Sequence, residues 1–84
     1  MSQRSEALQV AIKARRKRMT AIGIDIVNTL RDLLDSAEEG DDERTRGDSA
    51  LLGLSCRAYR QAACEMAEYV SEVNEIEKKE RQAR

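Results

Sequence analysis

The chain has 84 residues and a net charge of −1, with no His, Pro, Phe or Trp, two Tyr and two Cys. This is one domain, rich in helix formers, with aliphatic rather than aromatic core material. Without His the commonest general base and metal ligand is missing, so the composition argues against an enzyme and calls for no cofactor. No apolar run approaches the roughly 20 residues that cross a bilayer. The first residues lack the apolar centre of a secretory signal. A soluble cytoplasmic protein without membrane contact is expected, and since no run alternates like a strand, an all-α one.

The first predicted helix spans residues 3–39, with Ser2 or Ser5 as its cap. Met19, Ile22, Ile26, Val27, Leu30, Leu33 and Leu34 fall on an arc of about 140° on the helical wheel. Asp25, Asn28, Asp32 and Asp35 take the opposite side. Gly23 suits close packing or a bend, and Gly40 suits the left-handed residue that ends a helix. "GDDERTRGDS" then reads as an acidic loop over 40–49. Asp48 or Ser49 is expected to cap a second helix over 50–80, followed by a frayed tail at 81–84. Leu51, Leu52, Tyr59, Ala62, Ala63, Met66, Val70 and Val73 form its wide apolar arc, with small residues at Ala58, Ala62, Ala63 and Ala67.

Two long helices joined in this way predict an antiparallel helical hairpin. Both apolar arcs are wider than one partner helix covers, and two helices of this length bury little. A homo-oligomeric helical bundle is therefore expected, with a dimer forming a four-helix bundle as the simplest case. A turn near residue 44 would pair positions whose numbers total roughly 88, bringing Ile22 to Met66 and Ile26 to Ala62. In that register Arg15 and Arg16 lie beside Glu72, Val73, Asn74 and Glu77, where Glu77 and Glu72 would answer them. Leu8, Val10 and Ile12 meet only Ile76, so they are expected to serve an interface.

Charge is segregated: residues 1–24 carry +5, residues 25–49 carry −6, and residues 50–84 are neutral. Lys13, Arg15, Arg16, Lys17 and Arg18 are the candidate anion- or partner-binding residues. Leu8, Ile12, Met19, Ile24, Val27 and Leu34 are the candidate interface residues. The five cations wrap more than half the helix circumference, unlike a groove-reading helix, and no aromatic platform accompanies them. The acidic stretch from Asp35 to Asp48 reads as a solubilising surface or as mimicry of a nucleic acid.

No phosphate loop, nucleophile–base pair or metal spacing occurs. Glu68 and Glu72 make a solvated helix face. The acids around Gly47 lack the ligand order of a calcium loop. Arg46–Asp48 spells an adhesion tripeptide, which reads as chance. Cys56 and Cys64, eight residues apart, are separated by about 12 Å along a helix, too far for a disulfide; they are expected as small reduced packing residues. Together these features predict a non-enzymatic oligomer acting by binding, foremost a protein–protein interaction module such as an adaptor, chaperone-like partner or inhibitor. The alternative is a binder of an anionic ligand, nucleotide or nucleic acid through Lys13–Arg18.

Overall fold

The structure, a computed structural model, describes residues 3–83. Two helices, α1 (Gln3–Glu39) and α2 (Asp42–Gln82), form an antiparallel hairpin 65 Å long and 14 × 13 Å across. Among the described residues there is no strand, and no helix is long and apolar enough to cross a membrane. Ser2 and the last residue of the expected tail lie outside the described residues; Ser5 is buried inside the first turns of α1 rather than capping it.

The expected loop over 40–49 is replaced by a two-residue connection, Gly40 and Asp41. Gly40 takes φ +76°, the left-handed conformation that glycine adopts without a Cβ clash. Its N–H donates to the Ala37 carbonyl and that of Asp41 donates to the Ser36 carbonyl, closing α1 with the double bond of a Schellman end. Asp41, not Asp48 or Ser49, caps α2: its carboxylate accepts from the Arg44 N–H at 3.1 Å. Asp42 and Glu43 occupy the first turn, where carboxylates complement the helix dipole. Arg44 reaches back to Glu39 at 3.3 Å and forward to Asp48 at 3.9 Å. Residues with a turn-like composition thus become an efficient helix start. At the other end α2 continues through Gln82, past the expected stop at 80.

Shortening the connection resets the register. On α1 the buried or half-buried residues recur at alternate steps of three and four: Ser5, Leu8, Ile12, Arg15, Met19, Ile22, Ile26, Thr29, Leu33 and Ser36. On α2 the same rhythm runs through Thr45, Asp48, Leu52, Ser55, Tyr59, Ala62, Met66, Tyr69, Val73 and Ile76, with Tyr59 at the exposed edge. This is the 3.5-residue seam of a two-stranded coiled coil. It sets Leu8 opposite Val73 and Ile12 opposite Tyr69, numbers totalling 81 rather than 88. Observed contacts agree: Arg15 pairs with Glu65, Ser36 bonds Asp48, and a Cβ on Gly23 would meet Tyr59.

The core lies toward the chain ends. Leu8, Ile12 and Val73 are buried together, with Met66, Tyr69, Val70 and Ile76 packed against them. Leu8 and Ile12, expected at an interface with other chains, are inside this one; the new register gives them Val73 as a partner. Near the connection polar residues share the seam with Leu33 and Leu52. Ser36 is fully buried, its hydroxyl facing the Asp32 carbonyl at 2.9 Å, that of Leu33 at 3.2 Å and the Asp48 carboxylate at 3.1 Å.

Candidate interaction surface

The seam has two flanks, and they differ in chemistry. One carries Arg4, Arg18, Asp25, Asp32 and Glu39 on α1, spaced by sevens or multiples of seven, beside Arg44, Leu51, Glu65 and Glu72 on α2. Ion pairs close it at both ends, Arg4 with Glu72 and Arg44 with Glu39. The other carries Gln9, Arg16, Gly23 and Leu30 beside Cys56, Ala63, Val70 and Glu77. A groove lined by Gln9, Ile12, Arg16, Val70, Asn74 and Glu77 runs between the helices there, and a second depression follows at Met19, Thr20, Gly23 and Tyr59. The first flank is the ion-pair side and the second the groove side.

Apolar exposure is concentrated near the connection. Ile24, Val27, Leu30, Leu34, Leu51, Leu54 and Tyr59 are exposed, and Val10 alone among the large exposed apolar residues lies nearer the chain ends. Val27 at 56% and Leu34 at 62% exposure flank Leu30 on the groove side of α1. The acids at 25, 32 and 39 all lie on the ion-pair side. The result is an apolar strip free of carboxylates, the kind of surface that marks a contact. Leu30 and Leu34, placed by the wheel against the partner helix, are outside because a straight 3.5-residue seam takes Thr29 and Leu33 inward. Both choices satisfy a helical period, so hydrophobicity alone could not decide between them. Leu51, on the predicted apolar arc of the second helix, is outside for the same reason, since the seam steps from Leu52 to Ser55; Leu54 is exposed with it.

Among the sequence-predicted interface residues, Ile24, Val27 and Leu34 are exposed, Met19 is half-buried in the seam, and Leu8 and Ile12 are buried. The predicted cations do not share one face. Arg15 points into the seam, with Glu65 at 2.7 Å, not toward Glu72 or Glu77. Its guanidinium and the Glu65 carboxylate touch without the alignment of a hydrogen bond. Glu72 is taken by Arg4 instead. Lys13, Arg16, Lys17 and Arg18 are exposed and make no ion pair among the described residues. Lys13 and Lys17 stand one turn apart on α1 with Val10 and Ala14 between them. Arg16 lines the groove, and Arg18 is on the ion-pair side.

Cys56 and Cys64 are both exposed, so neither is the packing residue expected. Among the described residues no group of three or more His, Cys, Asp or Glu is placed to hold a metal ion. No protein-family model, curated protein or solved structure matches the chain.

Proposed function

We propose that this protein works without catalysis, as a cytoplasmic homo-oligomeric helical module that acts by binding another protein, in the manner of an adaptor, a chaperone-like partner or an inhibitor. What supports the reading is the apolar strip of Val27, Leu30 and Leu34, exposed on a hairpin whose own core uses residues elsewhere. Water-facing leucines in this number, side by side on a small chain, gain free energy when another surface covers them. The test is sedimentation of the native chain beside Leu30→Lys with Leu34→Lys. The native protein should sediment as an oligomer; the variant should keep its helical circular dichroism and fall to a single subunit. A native chain that is monomeric at micromolar concentration overturns the oligomeric reading.

A second reading draws on the four unpaired cations. Lys13 and Lys17, one turn apart, and Arg16 in the groove make no ion pair among the described residues. Such a surface suits an anionic ligand, either a nucleotide or a nucleic acid, whose affinity should then fall steeply with added salt. Titration with a labelled oligonucleotide, against Lys13→Glu with Lys17→Glu, separates this reading from the first.

A further inference from the structure

We infer that the groove side of the connection-proximal half is covered by a second copy of this chain, antiparallel to the first, about a two-fold axis near Leu30. This rests on the reading of the chain as an oligomeric binding module and adds the occupant and its orientation. A two-fold contact sets the same patch against itself, so the patch must be self-complementary. The strip meets that demand in its middle, where Val27, Leu30 and Leu34 of one copy lie over the same residues of the other. On α2 the neighbouring Gly53 has open space where a Cβ would project, so a second helix can approach closely there.

Charge decides the orientation. Residues 1–24 carry +5 and residues 25–49 carry −6, at opposite ends of a rod 65 Å long. With the axis at Leu30, Arg16 lies about 21 Å away along one copy and Asp41 about 17 Å away along the other, at ~1.5 Å per residue. That difference is within the reach of an arginine side chain. Arg16 and Lys17 therefore arrive beside the partner's Asp41 and the partner's Asp42, while Lys13, about 25 Å from the axis, lies past the end of the partner. A parallel packing would stack the two acidic connections and leave the cations unanswered. The ion-pair side makes a smaller demand, because Arg4–Glu72, Arg15–Glu65 and Arg44–Glu39 pair within the chain and, of the four exposed cations named above, only Arg18 lies there. Arg16 and Lys17 thus gain in two chains the acids they do not pair with in one.

Pulsed dipolar spectroscopy reads the orientation directly. Cys56→Ser, Cys64→Ser and Glu68→Cys give one nitroxide per chain, on an exposed position away from the contact. The antiparallel dimer predicts a label separation of about 50 Å, from roughly 17 residues on each side of the axis at 1.5 Å each, whereas a parallel bundle two helix diameters thick gives about 20 Å. Sedimentation is run on the same sample. A dimer with the long distance supports the inference. A dimer with the short distance overturns it and leaves the oligomeric reading standing; a single subunit overturns both. Charge reversal gives a second check that survives a failure to label. Arg16→Glu with Lys17→Glu should weaken the dimer about tenfold at low salt, since screened ion pairs contribute fractions of a kcal/mol each and the two-fold doubles them. Adding Asp42→Lys to the same chain should restore part of it, and absence of that rescue overturns the proposed juxtaposition.

Discussion

The half of the hairpin toward the chain ends and the half toward the connection share one seam geometry and fill it differently. Toward the ends the seam is mostly apolar, with Leu8, Ile12, Met66, Tyr69 and Val73, and the surface is charged. Toward the connection Leu33 and Leu52 share it with Thr29, Ser36, Thr45, Asp48 and Ser55, while Val27, Leu30, Leu34, Leu51 and Leu54 face outward. The first half holds itself together by burial. The second holds register through polar ties and a short, well-capped turn, and leaves these apolar residues exposed. On the proposed function, stability and binding would fall to different ends of one rod.

Truncating the core should show the contrast most strongly. Ile12, 5% exposed, loses about 2–4 kcal/mol on changing to Ala, the range for a buried large-to-small substitution. Urea denaturation followed by circular dichroism should record that loss. Leu34→Ala should cost less than about 0.5 kcal/mol in dilute protein, as an exposed substitution does. Its penalty should rise with protein concentration, because only the assembled state buries the side chain. Equal and concentration-independent losses at the two sites would erase the division between the halves.

Smaller effects test the connection half on its own terms. Ser36→Ala leaves the Asp48 carboxylate without its hydroxyl partner in a buried place and should cost about 1–2 kcal/mol. Gly40→Ala forces a Cβ into the left-handed region and should cost roughly 1 kcal/mol. Both can be read from thermal or urea midpoints. Hydrogen exchange adds a spatial check: each variant should speed exchange around residues 36–48 before it affects residues 66–73.

The helical class, the hairpin and the left-handed Gly40 were legible in the chain because composition and a single punctuating glycine determine them locally. The register was not. Asp41 to Asp48 has the composition of a turn, yet an N-cap at Asp41 and ion pairs of Arg44 with Glu39 and Asp48 make helix the better state. A capping contribution of this kind depends on which of several acids sits at the boundary, and "GDDE" offers more than one choice. Moving the turn by a few residues carried every pairing with it. Leu8 and Ile12 went inward, Arg15 found Glu65, and the leucines at 30 and 34 came out. Of the candidate interface residues, Ile24, Val27 and Leu34 are exposed because the apolar arc exceeds what one seam covers. Leu51 was not told apart from Leu52, because only the register, through the step from Leu52 to Ser55, separates the two.

Arg15 supplies the finest test of the comparison, because it is the one charged residue in the seam of the self-contained half. Its side chain and that of Glu65 are 30% and 32% exposed, and they approach to 2.7 Å. A pair so placed loses hydration on both sides and gains attraction that water still screens, so its net contribution is small. Across the seam lies Met66, against which an apolar side chain of similar length can pack. Arg15→Met should therefore change stability by less than about 1 kcal/mol in either direction, provided Glu65→Gln accompanies it to avoid an unanswered carboxylate. The double-mutant cycle over Arg15 and Glu65 should give a coupling of similar size by urea denaturation. A coupling above about 2 kcal/mol would mean that the ion pair, not Leu8, Ile12 and Val73, holds this end together. The two halves would then rely on the same polar device, and the contrast between them would lose its physical basis.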